Sequence, residues 1–301
     1  MNKIKKAFKN PRLIVMHMCR KWPFYYISDK AYLNLFYRTN HGKNMNWETP
    51  VTFNEKLQWL KLYDRRPEYV DLTDKLKVRD FVRERIGEEY LVPIYGSWTC
   101  AEEIPYDELP EKFVLKCNHD SGSVVICENK SALDKKKAAK KLNKALKYDY
   151  YRESREYNYH GIEPRIMAEQ YLSNDGNDEL TDYKFFCFDG EPKFIQVDTG
   201  RFKKHIRNFY DAEWNFIDVE NGCEHDEKCI IEKPEQLEKM LALAKELSAG
   251  FPHVRVDFYY SSGRIYFGEL TFHHGGGAMA VSPHEYDVLW GSYITLPEKT
   301  Q

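Results

Sequence analysis

VRVDFYYSSGRIYFGELTFHHGGG, Val254 to Gly277, decides how the rest of this chain is read. Two runs of alternating or aromatic β-formers flank Ser261-Ser262-Gly263, and each run carries a carboxylate, Asp257 in the first and Glu269 in the second. That pattern predicts a β-hairpin with acidic residues on it. Side chains alternate along a strand, so both carboxylates reach one face only if odd-numbered residues pair with odd, which asks for a loop of odd length. A three-residue loop with Gly263 in the left-handed position meets that need. It sets Arg255 opposite Glu269, with Asp257, Glu269 and Thr271 on one face. Oxygen ligands converging in this way suit a hard cation such as Mg²⁺. For the hairpin alone, a solvated face with an Arg-Glu cross-strand pair is the competing reading.

Upstream of the hairpin, a helix from Pro234 to Gly250 buries Leu237, Met240, Leu241, Ala244 and Leu247. Asp182 to Phe188 and Lys193 to Val197 read as two strands around the turn Asp189-Gly190, with Lys184 alternating with bulky neighbours. Arg165 to Leu172 is a short strand, and Ser173 to Asp178 a loop where the chain divides into lobes. Tyr148 to Gly161 is polar and reads as a mobile loop, after a helix begun by Ser131 and Asp134 with Ala138, Ala139, Leu142 and Leu146 as its stripe. Phe113 to Cys127 is strand, polar loop, strand, with Lys116 at the end of the first strand. Backbone N–H groups of such a loop can close over phosphate oxygens, although a plain hairpin reads the same way in isolation. A capped helix is expected from Thr73, with Val78, Phe81, Val82 and Ile86 buried, Gly87 as its stop, and Lys75 and Arg79 pointing away together. Thr52 with Glu55 forms a capping-box signal before Leu57 and Leu60. Residues 1–70 hold helical patterns and no convincing strand.

The 45 Lys and Arg against 47 Asp and Glu exclude the basic balance of a general nucleic-acid binder. Seven scattered cysteines without a Cys-x-x-Cys pair point to reduced, structural thiols. With no apolar run of about eighteen residues and no secretory signal pattern, a cytoplasmic protein is expected. Between Lys3 and Lys21 stand seven Lys or Arg and no acid, followed by Trp22, Phe24 and Tyr25. This stretch predicts a basic amphipathic helix that either docks peripherally on an anionic membrane surface through residues 1–25 or packs on the protein with its cations in water.

Taken together, these motifs resemble the ATP-grasp superfamily, and within it the TupA-like branch associated with teichuronopeptide and other surface glycopolymer synthesis. The resemblance runs from Pro50-Val51-Thr52-Phe53-Asn54-Glu55-Lys56 through Asp74-Lys75, Leu109-Pro110, Phe113 to Gly122, Ala168 to Leu172 and Asp182 to Gly190, to Arg255 to Gly277. It implies an α+β fold in which two lobes with mainly antiparallel sheets, 71–168 and 169–301, clasp ATP after a helical region, 1–70. It implies that Lys75, Lys116 and Lys184 face phosphates, that Asn118, Ser121, Gly122 and Ser123 belong to the phosphate loop, and that Glu169, Gln170, Tyr171 and Leu172 hold adenine and ribose. Asp257 and Glu269 resemble the Mg²⁺ carboxylates and Arg255 the transition-state arginine, while Thr271 stands where Asn is common. The implied activity is ADP-forming carboxylate-amine ligation on a carboxylate-bearing glycan or its precursor, with an amino acid or amino sugar as the amine. A glycan kinase on the same fold is the first alternative. A glycosyltransferase is the second, and no convincing Asp-x-Asp motif supports it. His119, His273 and His274 are expected to be structural or solvent-facing.

Overall fold

The computed structural model describes residues 26–173, 180–199 and 205–300, together with Val15 and Met18. The expected basic N-terminal helix and most of the Ser173 to Asp178 loop lie outside the described residues.

Ser28 opens α1 (Asp29–His41), its hydroxyl accepting from the Ala31 N–H, and Gly42 closes it in the left-handed conformation. The expected capping box opens α2 (Phe53–Tyr63): Thr52 Oγ1 accepts from the Glu55 N–H, and Glu55 Oε2 accepts from the Thr52 N–H. Thr73 does not start a helix; it ends α3 (Glu68–Thr73), and helix resumes only at α4 (Val78–Arg85). The physical reason is tertiary. Thr73 Oγ1 already accepts from Asn158 Nδ2 at 2.9 Å, and Asp74 Oδ1 turns to Asn118 Nδ2 and the Leu76 N–H. Lys75 therefore sits in the break between helices.

Four antiparallel strands follow, β1 (Ile94–Trp98), β2 (Phe113–Cys117), β3 (Val125–Cys127) and β4 (Ile166–Gln170), in the order β1-β4-β2-β3. Between β3 and β4 lies α5 (Lys135–Leu146), capped by Asp134, which buries Ala138 and Leu142; Leu142 joins the apolar cluster of this sheet. The stretch expected to be a mobile loop instead forms α6 (Tyr150–Ser154) and a 3₁₀ turn at Tyr157–Tyr159. Its polar residues are buried because partners await them: Glu156 stands 3.7 Å from the fully buried Lys61, and Asn158 reaches Thr73.

A second, six-stranded antiparallel sheet has the order β11-β10-β5-β6-β7-β8, from β5 (Asp182–Phe188), β6 (Glu191–Thr199), β7 (Ile206–Asp211), β8 (Phe216–Ile217), β10 (His253–Ser261) and β11 (Arg264–Thr271). The remaining elements are β9 (Glu220–Asn221), α7 (Leu237–Ser248), β12 (Val281–Ser282) and α8 (His284–Ser292), with β9 paired to β12. The fold is α+β with mainly antiparallel sheets. One face of the large sheet, with Phe185, Cys187, Val254, Val256 and Phe258, packs on α7. The opposite face divides along its strands. Toward one end Phe186, Phe188, Phe194 and Phe209 meet Phe53 of α2 and Trp290 of α8. Toward the other end the same alternation places Gln196 with Lys184, Asp198 and Arg207, and the last three line a cavity.

The hairpin keeps its predicted face by a different route. Only Ser262 and Gly263, both at positive φ, form the loop, so Ser261 pairs with Arg264. A bulge that adds Gly268 between Phe267 and Glu269 then restores the parity, placing Asp257 opposite Glu269 and Arg255 opposite Thr271 rather than opposite Glu269. Cβ on Gly268 would stand 3.1 Å from the Asp257 carbonyl oxygen, which explains glycine at this close approach.

Candidate active site

The polar half of the large sheet is organised in rungs. Glu269, Asp257, Lys184 and Gln196 lie side by side across β11, β10, β5 and β6, and Tyr259, Asp182, Asp198 and Arg207 form the next rung on that face. Direct cross-strand neighbours are close enough to interact: the register sets Lys184 against Asp257 and Arg207 against Asp198, and these cations offset the like-charged neighbours Asp257–Glu269 and Asp182–Asp198. Lys184 Nζ donates to Asp257 Oδ2 at 2.8 Å and also to Asp182. Arg255 grips Asp257 with two bonds, Nε to Oδ1 at 2.6 Å and Nη2 to Oδ2 at 2.7 Å. The fork geometry of guanidinium makes such pairs strong and directional. Nη1 of Arg255 meets His274 Nδ1 at 2.8 Å, and His274 Nε2 meets Asn221 Oδ1 at 2.7 Å. His119, His273 and His274 are all buried, so none faces solvent, and His274 holds the arginine in place.

Arg255 Nη2 also donates to Glu269 Oε1 at 3.1 Å, so one guanidinium nitrogen bridges the Asp257 and Glu269 carboxylates. Thr271 Oγ1 donates to Glu269 at 3.1 Å. Asp182, Asp257 and Glu269 supply oxygen donors of the kind a hard divalent cation takes, while Lys184, Arg255 and Lys75 balance their charge. Among the described residues no group of three His, Cys, Asp or Glu stands ready as a metal cage. Arg255 and Lys184 occupy the carboxylate oxygens instead. Burial alone would raise Glu269, but Arg255, Lys75 and Lys184 together hold it below its usual value. Burial would lower Lys184, and Asp257 with Asp182 more than offset it, keeping the ammonium charged.

The small sheet contributes the opposite wall. Ser123 Oγ accepts from the Cys117 N–H at 2.8 Å and donates to Asp120 Oδ1 at 2.6 Å, which folds the loop after β2 back on the strand. Lys75 Nζ donates to the Asp120 carbonyl at 2.6 Å, tying the helix break to this loop. Burial, with Lys116 nearby, lowers the Lys75 ammonium. Lys75, Lys116, Ser121, Gly122, Ser123, Lys184, Arg255, Asp257 and Glu269 line one cavity of about 370 Å³. Asn118 is not among its lining residues: its amide donates to Asp74 and the Glu163 carbonyl and accepts from the Arg165 N–H. Thr271 is likewise set back behind Glu269. Lys116 of β2 pairs at 2.6 Å with Glu169 of the neighbouring central strand β4. Glu169, Gln170, Tyr171 and Leu172 line a second, more apolar cleft of about 940 Å³, which shares Lys116, Val124 and Tyr259 with the first.

The profile of the TupA-like ATPgrasp family matches residues 55–295, spanning both sheets and both cavities. The chain belongs to the TupA-like ATP-grasp family. No curated protein matches the sequence at a significant level. Among solved structures, it is similar to D-alanine–D-alanine ligase from Bacillus anthracis complexed with ATP, at 17% identity and TM-score 0.40, covering 67% of this chain and 54% of that one. It is also similar to the Helicobacter pylori D-alanine–D-alanine ligase, at 11% identity and TM-score 0.43, covering 80% and 69%. ATP-grasp ligase PsnB complexed with minimal precursor, Mg, and ADP gives 11% identity and TM-score 0.38, covering 73% and 58%. The chain thus spans little more than half the length of the first of these.

Sequence reasoning on this TupA-like ATP-grasp protein missed Asp182, Asp198, His205 and Arg207, all of which line the smaller cavity. A period-two signal was present: Asp182 and Lys184, Gln196 and Asp198, His205 and Arg207 are polar pairs spaced by two beside aromatic strand residues.

Proposed function

We propose that this TupA-like ATP-grasp protein is an ADP-forming carboxylate-amine ligase that works through an acyl phosphate. The observation that carries the reading is the single cavity in which Lys75, Lys116, Lys184 and Arg255 converge with Asp257 and Glu269, opening into the cleft lined by Glu169 to Leu172. Polyphosphate suits the cations and the Ser121-Gly122-Ser123 turn, while the apolar cleft suits adenine. Asp257 and Glu269, with Thr271 behind them, are the residues that would hold Mg²⁺. When bound, Mg²⁺ supplies charge neutralisation on the transferring oxygens. Arg255, fixed by Asp257 and His274, stabilises negative charge as the acyl phosphate forms and collapses.

The substrate belonging to this reading is a uronic acid or similar carboxylate on a surface polysaccharide or its precursor, with an amino acid or amino sugar as the amine. Mass spectrometry of the surface polysaccharide with and without the gene tests it. An amide-linked substituent lost with the gene is expected; an unchanged polysaccharide, or loss of a phosphate ester instead, contradicts ligation. The basic stretch of residues 1–25 extends the proposal to peripheral docking on an anionic bilayer, and no helix among the described residues is long and apolar enough to cross one. Co-sedimentation with anionic vesicles should fall when residues 1–25 are removed, and equal binding by both forms counts against docking.

A further inference from the structure

Asp198 on β6, His205 just before β7 and Cys223 just after β9 are brought into a line, with Asp198 and His205 at the wall of the smaller cavity and Cys223 behind His205. His205 Nε2 faces Asp198 Oδ1 at 2.9 Å, and His205 Nδ1 faces Cys223 Sγ at 3.5 Å. Asp198 is 4% exposed and is held as a carboxylate by Arg207 Nε at 2.8 Å and Gln196 Nε2 at 2.7 Å. An imidazole whose Nε2–H donates to a carboxylate presents the lone pair of Nδ1 to whatever lies on its other side, here a thiol. Nucleophile, base and orienting carboxylate in this order form the arrangement that activates cysteine for acyl transfer. The other imidazole close in sequence, His225, is occupied by Asp218 and Glu220. Arg207 extends to the Asn221 carbonyl, bracing the segment that leads to Cys223.

We propose that Cys223 is a nucleophilic thiol, activated by His205 and Asp198, that accepts an activated acyl group. For its natural acyl donor the proposal rests on the ligase reading, because Asp198 and His205 line the same cavity as Lys184 and Arg255. In the first step Cys223 sulfur attacks the acyl carbon of the acyl phosphate. The carbon–oxygen bond to phosphate breaks, and the thiol proton passes through His205 to the departing phosphate. In the second step an amine attacks the thioester carbon, the carbon–sulfur bond breaks, and the amine proton passes through His205 back to sulfur. The amide leaves and the thiol is regenerated.

The remaining described cysteines provide internal controls. Burial pushes the Cys117 and Cys187 thiols up to about 11 and about 12, and Cys127 is buried too. Cys100 and Cys229 are partly exposed like Cys223, and Cys229 has Thr199 Oγ1, not an imidazole, at 3.9 Å. The test is iodoacetamide labelling of the full chain at neutral pH, read cysteine by cysteine by peptide mass spectrometry, in wild type and His205→Gln. Cys223 should react about tenfold or more faster than Cys100 and Cys229, with the advantage lost in His205→Gln. Acetyl phosphate, a small acyl phosphate, should leave a hydroxylamine-labile acetyl group on wild-type Cys223 and none in the variant. Labelling of Cys223 no faster than Cys229, labelling unchanged by His205→Gln, or no acetyl thioester overturns the proposal. His205 is 35% exposed at its side chain, so the glutamine variant should remain folded, and a thermal melt verifies it. Separate measurement of Mg·ATP turnover distinguishes failure of the ligase reading, since labelling requires no nucleotide.

Discussion

Lys184 and Arg255 are nearly buried cations, and both are held by Asp257, which is itself 2% exposed. Neutralising one member of such a cluster leaves the partners' charge uncompensated, whereas Lys116 keeps 13% side-chain exposure and a single ion pair with Glu169. The two positions therefore separate chemistry from stability. Lys116→Ala should lose ATP turnover and cost less stability than Asp257→Asn, because it breaks one ion pair where Asp257 holds both Lys184 and Arg255. Asp257→Asn should lose turnover as well and cost about 3 kcal/mol while remaining folded at ambient temperature. ADP release and circular-dichroism melts measure both. Retained turnover in Lys116→Ala would show that the phosphate side of the cavity has been misassigned.

Elements whose ends are fixed by local chemistry were legible in the sequence, and those fixed by distant partners were not. Thr52 and Glu55 form their capping box within four residues, and Asp189-Gly190 turns between β5 and β6 as its composition demands. Thr73 carries an equally good cap signal, but Asn158, far along the chain, takes its hydroxyl. Residues 148–161 look like loop because their polar side chains find Lys61, Thr73 and Asp29 only in the folded molecule. The hairpin parity was right and its register was not, because a bulge is invisible to simple alternation. The capping box also makes a pH prediction. Burial would raise Glu55, but the Val51 and Thr52 N–H groups and Lys43 outweigh it and hold the carboxyl below its usual 4.5. A depressed folded value means the carboxylate stabilises fully above the unfolded value and loses that contribution as pH falls through the lower folded value. Glu55→Gln should therefore melt lower than wild type at pH 6, by about 1 kcal/mol of stability, with the gap closing toward pH 3. A gap independent of pH would contradict the capping assignment.

Across the whole molecule, one sheet face serves two purposes because its cover stops partway. Phe53 from α2 and Trp290 from α8 close the aromatic end, and Glu269, Asp257 and Lys184 are left lining a cavity with the Ser121-Gly122-Ser123 turn of the small sheet. The helical N-terminal segment is thus part of the core that positions the chemistry: Lys61 of α2 bonds the Gly276 carbonyl at 2.6 Å, beside His274 and Arg255. The account's central claim is that Mg·ATP lies between the two sheets with its phosphates on Lys75, Lys116 and Lys184. A crystal structure of the full chain with Mg²⁺ and a non-hydrolysable ATP analogue tests it most directly. The account predicts adenine in the Glu169 to Leu172 cleft, phosphates against Ser121 to Ser123 and the three lysines, and the metal on Asp257 and Glu269. A nucleotide bound elsewhere, or Arg255 still bridging Asp257 and Glu269 with no metal beside them, would contradict it.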